Sequence, residues 1–234
     1  MASRSFRRLR DSPWTAHFYG AHAAVESFES RARIKLAKRG IGGFPTLSIQ
    51  HMIDILRDQL DDAPNLNQKR LVMMEENAFR ILKNIGVTTK EAYDAAPLGT
   101  GFVKNVEGLP NHKIENYRVL YLKSNCWHEG ASSEIIDAIH CGGPVYGWFA
   151  YDDSFQDAKG EIYRVPSAPS TMISPIVRTH ALLLYGYGAQ CRTGLFDYQN
   201  NWGPEYHNGG RGIMENANII GTIVPDVTFA GIAF

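Results

Sequence analysis

At 234 residues, with 44% hydrophobic and 11% aromatic side chains, the chain can bury one large core or two lobes that share a cleft. Lysine plus arginine balance aspartate plus glutamate at 24 each, so no charge excess calls for nucleic acid or an anionic membrane as a partner. No apolar run approaches the roughly 20 residues of a membrane span, because the C-terminal I-I-G-T-I-V is cut by Pro225 and Asp226.

The first ten residues, M-A-S-R-S-F-R-R-L-R, hold four arginines and no apolar segment, which excludes a secretory signal and reads as a solvated basic end. Ala21 to Lys38 reads as an amphipathic helix, with Ala21, Val25, Phe28 and Ala32 at spacings of three and four. Gly40, Gly42, Gly43 and Pro45 end it. Val72, Met73 and Met74 read as packing residues ahead of a short helix in which Phe79, Ile81, Leu82 and Ile85 precede Gly86. A polar run from Gly108 to Asn116, with Pro110 inside it, marks a boundary. From Tyr117 the texture is β-rich: Y-R-V-L-Y-L, then G-P-V-Y-G-W-F-A-Y, then G-E-I-Y-R-V-P. Between the first two lies a helical stretch, Ser132 to His140, capped by Ser132 with Glu134 and Asp137 in its early turns. Tyr146, Trp148, Phe149 and Tyr151 read as core and rim of the β-rich part.

Three cysteines, Cys126, Cys141 and Cys191, cannot supply a disulfide framework. Their number suits a reducing, intracellular and cytoplasmic setting with none of them bridged. Cys126-Trp127-His128 and His140-Cys141 do not have the spacing of a structural zinc site, so neither metal nor other cofactor is expected.

The chain is organised around Thr179 to Gly203, T-H-A-L-L-L-Y-G-Y-G, A-Q-C-R-T-G-L-F-D-Y, Q-N-N-W-G. The pattern is hairpin-like, with His180 opening one strand and Asn200 closing the next, which brings the two side by side. An asparagine beside a histidine fixes ring orientation and tautomer, as a general base requires. It equally satisfies a buried imidazole that has no catalytic task.

Several segments resemble the motifs of papain-like cysteine peptidases, the papain and cathepsin type. T-H-A-L running into G-Y-G is similar to that family's (N/D)-H-A-(V/L) strand, and Q-N-N-W-G to its K-N-S-W-G. G-P-E-Y-H-N-G-G-R-G-I resembles G-x-x-W-G-E-N-G-Y-x-R-I with one residue missing, and L-S-I-Q-H-M-I-D-I resembles L-S-E-Q-x-L-V-D-C with Ile55 in place of the cysteine. N-A-F-R-I-L-K-N-I-G and A-A-V-E-S-F-E are similar to the family's next helix and to its long central helix, C-W-A-F-(A/S)-A-V-x-x-(L/I)-E.

The resemblance implies an α+β fold of two lobes with a cleft between them. Residues 1–112 would form a helical lobe with its central helix at about 18–38, and residues 113–234 a β-rich, antiparallel, barrel-like lobe. By position, His180 matches the base, Asn200 the orienting residue and Trp202 the indole that shields their contact. The nucleophilic cysteine, counted back from Val25, falls on Tyr19, whose phenol has a pKa near ~10 and is a poor acyl nucleophile. The oxyanion glutamine falls on Pro13 or Ser12, and a cleft-lining Gly-Gly pair on Val72 and Met73, whose side chains would narrow the groove. The resemblance thus implies a peptidase homologue without peptidase chemistry, a module that binds a peptide or protein in its cleft. The alternative is an active peptidase that uses Thr15, near His17 and His22, or Cys126 or Cys141 brought into the site.

Overall fold

The computed structural model describes residues 15–68, 74–99, 104–121, 129–151, 154–157, 161–164, 178–191, 193–206 and 208–230. The chain gathers into two compact units, Met1–Ala23 with Val119–Ile223, and Ala24–Arg118 with Val224–Phe234. This division differs from a boundary at 112/113. The chain passes between units a few residues later, and each unit takes one end of the sequence.

Helix α1 (Thr15–Ala37) is the longest of the described helices and runs through both units. Spacing alone predicts a single buried stripe. Instead Ala21, Ala23, Ala24, Val25, Ser27 and Phe28 are all at most 1% exposed, so the buried surface of this part of the helix is broad and only the face of His22 and Glu26 is left half-buried. That explains why alanines recur on more than one face. The buried Ser27 hydroxyl donates back to the Ala24 carbonyl at 2.8 Å, so it leaves no polar group unmet. Gly40, with φ +71°, closes the helix, and the Ile41 N–H returns to the Leu36 carbonyl at 3.0 Å.

In the helical unit, α2 (Ile49–Asp62) starts at Ser48, whose hydroxyl accepts from the His51 N–H at 3.1 Å. Its apolar Met52, Leu56 and Leu60 repeat every four residues and are buried. Helix α3 (Glu75–Asn84) buries Ala78, Phe79, Ile81 and Leu82, and carries Glu75 and Glu76 at its positive end and Lys83 at its negative end. A short α4 (Lys90–Ala95) is capped by Thr89, whose hydroxyl accepts from the Ala92 N–H at 3.1 Å.

The other unit holds most of a seven-stranded sheet of order β1-β7-β2-β4-β5-β6-β3. The strands are β1 (Asn116–Tyr121), β2 (Val145–Tyr151), β3 (Ile162–Tyr163), β4 (Arg178–Gln190), β5 (Thr193–Gln199), β6 (Arg211–Glu215) and β7 (Ile219–Asp226). Helix α5 (Glu129–Gly142) precedes β2 and begins earlier than Ser132, while a single turn, α6 (Ser154–Asp157), follows it. Of the described part of G-E-I-Y-R-V-P, residues 161–164, Ile162 and Tyr163 form β3, paired parallel to β6. Pairings of β2 with β4 and β7, and of β5 with β4 and β6, are antiparallel, so the sheet is mixed. In β4 the run Ala181 to Leu184 is buried throughout, as a strand covered on both faces requires. None of the described helices is long and apolar enough to cross a membrane.

Gly86 ends α3 with φ +82°, and a Cβ there would lie 2.6 Å from the His112 carbonyl oxygen. The left-handed conformation alone costs a non-glycine residue about 1–2 kcal/mol, and the neighbour in the way is backbone. Gly86→Ala should therefore lower the urea midpoint by more than that conformational term, with the slope of the transition unchanged.

Candidate functional site

Strands β2, β4 and β5 place the site. His180 pairs with Phe149 across β2 and β4, and Leu183 pairs with Gln199 across β4 and β5. Asn200 continues β5 by one residue and so comes beside β4 near His180. The His180 Nε2 and Asn200 Oδ1 are 2.8 Å apart. The Asn201 backbone N–H also donates to Asn200 Oδ1, at 2.9 Å. An oxygen that accepts from a backbone amide cannot be the donor to the ring, so His180 donates through Nε2–H and the lone pair lies on Nδ1.

Asn200 is itself held from behind. Its N–H donates to the Gly210 carbonyl at 2.7 Å, and the Gln199 side-chain amide donates to the Asn200 carbonyl at 3.1 Å. Gln199 Oε1 in turn accepts from Arg211 Nε at 3.2 Å, tying the 200–210 loop to β6. Gly210 has φ +82°, and a Cβ there would meet Gln199 Nε2 at 2.6 Å, so glycine is needed for the loop to come this close.

Aromatic rings enclose the imidazole. The Trp202 indole lies 4.8 Å from the His180 ring centre at 38°, with Tyr151 at 5.7 Å, Phe149 at 5.9 Å and Phe155 at 6.0 Å. Tyr206 fixes this wall: its ring meets Trp202 edge-on at 4.8 Å and its hydroxyl donates to the Phe155 carbonyl at 2.7 Å. The outcome is a His180 that is 3% exposed. Burial pushes its pKa down to about 4, and the Asn200 hydrogen bond opposes the shift only in part. The ring is neutral near pH 7. Because the unfolded imidazole titrates near 6.5, this group's contribution to stability is intact above that value and is lost as pH falls through about 4.

Trp202, like Tyr151, is half-buried. Tyr19 lies in the first turns of α1, and its side chain is outside the described residues, as is that of Thr15 at the helix start. Ser12, Pro13, Val72, Met73 and Cys126 are also outside them. Cys141 and Cys191 are exposed and not in disulfides, in the last turn of α5 and at the tip of the β4–β5 hairpin. The hairpin tip lies on the order of 30 Å along the strand from His180. Among the described residues no group of three or more His, Cys, Asp or Glu side chains is placed to hold a metal ion. Sequence reasoning missed Phe155 and Tyr206. Phe155 is signalled only as an aromatic residue in the polar segment Y-D-D-S-F, whereas Tyr206 stands at the tryptophan position of the motif that G-P-E-Y-H-N-G-G-R-G-I resembles.

The fold is that of a papain-like protein. The family model described as papain family cysteine protease matches residues 20–222, and the chain belongs to that family. A cathepsin L-like proteinase of Fasciola hepatica is 26% identical over 142 residues, which is 61% of this chain and 39% of that protein's length. Among solved structures, the bromelain protease of Ananas comosus is similar at 22% identity and TM-score 0.61, covering 91% of this chain and 90% of that one. A structure reported for the mite allergens Blo t 1 and Der p 1 is similar at 19% identity and TM-score 0.62, covering 91% of this chain and 64% of that one.

Removing the acceptor tests the pair. Asn200→Ala leaves a buried N–H unpaired and should cost about 1–3 kcal/mol, read in urea unfolding. It should also move the His180 titration further below about 4 in an NMR pH series, because the Asn200 bond is what holds that value up.

Proposed function

We propose that this chain is a non-catalytic member of the papain family, which holds a peptide or protein segment at the His180–Trp202 face without cutting it. The observation that carries this reading is the enclosure of His180. The ring has the tautomer a general base needs, yet it is 3% exposed and neutral, behind a wall of four aromatic side chains. A papain-type nucleophile is a thiolate activated beside an imidazolium, and that charged form is what burial opposes here.

The register of α1 supports the same reading. Counted along C-W-A-F-(A/S)-A-V, the nucleophile position is Tyr19 and the following tryptophan position is Gly20. A Cβ on Gly20 would sit 3.5 Å from the Tyr146 hydroxyl, so Tyr146 from β2 reaches the place a large side chain would leave. The family match begins at Gly20, one residue past the position assigned to the nucleophile. Tyr151 and Trp202 remain half-buried and offer aromatic edges to a bound chain. Two exposed cysteines that are not in disulfides suit reducing, intracellular surroundings.

Purified protein should show no turnover of peptidyl esters or amides, and a thiol-reactive peptidyl probe should give no mass shift at pH values where ordinary exposed thiols such as Cys141 and Cys191 lag. Tyr19→Cys alone should restore little, because groups that act as a unit are not recovered one at a time. Tyr19→Cys combined with Ser12→Gln or Pro13→Gln should restore more, since an oxyanion donor is worth roughly 10²–10³ in rate. Wild-type hydrolysis that disappears in His180→Ala would overturn the proposal. Thr15→Ala would then identify a substitute nucleophile.

A further inference from the structure

In the helical unit, two distant stretches of chain cross, residues 46–48 and 88–90. The Ser48 N–H donates to the Thr88 carbonyl at 2.9 Å, and the Lys90 N–H to the Thr46 carbonyl at 2.8 Å. Two other amides at the crossing turn to side chains, Leu47 to the Glu29 carboxylate at 2.9 Å and Thr88 to an imidazole. The Thr88 N–H donates to Nδ1 of His51, at 3.2 Å. Thr88 is fully buried and His51 is 4% exposed, so water does not stand in for either partner. A second imidazole flanks the same segment from the other side. His112, 2% exposed, exchanges both backbone hydrogen bonds with Val87, at 2.9 and 3.0 Å, and meets Phe44 edge-on at 5.2 Å.

An imidazole accepts at Nδ1 only while it is neutral. Protonation places a hydrogen on that nitrogen, and two donors then face each other across the bond. We propose that this crossing is an acid-sensitive latch, closed by neutral His51 and opened locally when His51 takes up a proton. His112 reinforces it, since a charge on that ring would stand against Phe44 with Val87 backbone on one side.

The charged and titratable groups around the latch pull in known directions. On α2, Asp54 one turn beyond His51 favours the protonated ring, but its carboxylate is engaged by the Tyr93 hydroxyl, Gln50 and Arg57. Tyr93 of α4 stacks on His51 at 5.5 Å. Glu29 of α1 accepts from the Leu47 N–H and pairs with Arg33, Lys90 pairs with Asp94, and the Lys113 amine donates to the Asn84 carbonyl. Burial outweighs the Asp54 attraction, so the His51 pKa is lowered, and burial lowers that of His112. Both rings are thus neutral near pH 7, and the latch weakens as pH falls below the ordinary imidazole value of 6.5. The crossing also forms part of a surface recess of about 460 Å³, lined by Pro45, Thr46, Thr89, Lys90, Glu91 and Asp94. Opening the latch would therefore reshape that recess.

Amide exchange reads the latch directly. Corrected for intrinsic rates, protection of the Thr88 amide should fall at least tenfold between pH 7 and pH 4.5, while that of Leu56 inside α2 holds. His51→Asn places an amide oxygen near the Nδ1 position and accepts at every pH, so the Thr88 drop should vanish. Thr88 protection that ignores pH in the wild type, or a drop that persists in His51→Asn, would overturn the proposal. Should that variant not fold, the wild-type ring decides by nitrogen NMR. His51 must carry its hydrogen on Nε2 at pH 7 and titrate together with the Thr88 amide, and titration at a different pH overturns the latch as well.

Discussion

The hydrogen bond between His180 and Asn200 governs how the sheet unit is built, because its two partners are both buried and neither can turn to water. A buried imidazole N–H without an acceptor costs more than the bond itself is worth, so everything that keeps Asn200 Oδ1 in place acts on stability. That set is wide. It includes the Asn201 N–H on the same oxygen, the Gly210 carbonyl on the Asn200 amide and the Gln199–Arg211 contact that ties the loop to β6. It also includes the glycine at 210, where a side chain would push Gln199 away. The aromatic wall completes the arrangement by removing water from the bond, which strengthens it and at the same time keeps the ring neutral.

The helical unit solves a similar problem by a different route. Where chain segments meet without regular strands, amides find partners one at a time, and at Thr88 the partner is a side chain. The rest of the unit is ordinary helix packing, with Met52, Leu56, Phe79 and Leu82 buried at helical spacing. Titratable groups set opposing slopes in pH. Burial lowers His22, His51, His112 and His180, which weakens the fold as pH falls below 6.5. Burial, and then Glu29, raise Glu26 to about 7. Its folded state holds the proton more tightly than the unfolded value of 4.5, so that contribution is lost as pH rises from 4.5 through about 7. The histidines and Glu26 therefore partly cancel between these limits.

Family and fold were legible in the sequence because the motifs at its C-terminal end are made of residues with narrow physical tasks. His180, Asn200 and Trp202 each need one residue type at one register, and β-strand period fixes that register. The helices at 15–37 and 75–84 showed in apolar spacing, and their ends in Gly40 and Gly86. Other features depend on long-range packing and leave little local trace. The breadth of the buried surface of α1 could not be read from a stripe of four residues. Nor could the shortness of β3, since Ile162 and Tyr163 have the composition of a longer strand but find only β6 beside them. Phe155 and Tyr206 sit in polar loops, and only their meeting at Trp202 gives them a role. The chain passes between units inside α1, β1 and β7, where no change of composition marks it.

Retention of the His–Asn pair is a poor guide to catalysis for the same reason that the pair is stable. In a working site the asparagine orients a ring that must also be reached by substrate and nucleophile. In a closed site it is needed simply because the ring is buried, and losing it would expose the fold to the full desolvation penalty. Selection for folding alone would then keep both residues, together with Trp202 and the glycines of the 200–210 loop. The informative difference lies at Nδ1 and in the charge the ring can carry. On the proposed non-catalytic reading, a ring that is 3% exposed and pushed down to about 4 by burial suits packing better than general-base work near neutrality. On that reading the geometry of the pair reflects folding, and it is the aromatic enclosure around it that separates a binding face from a catalytic one.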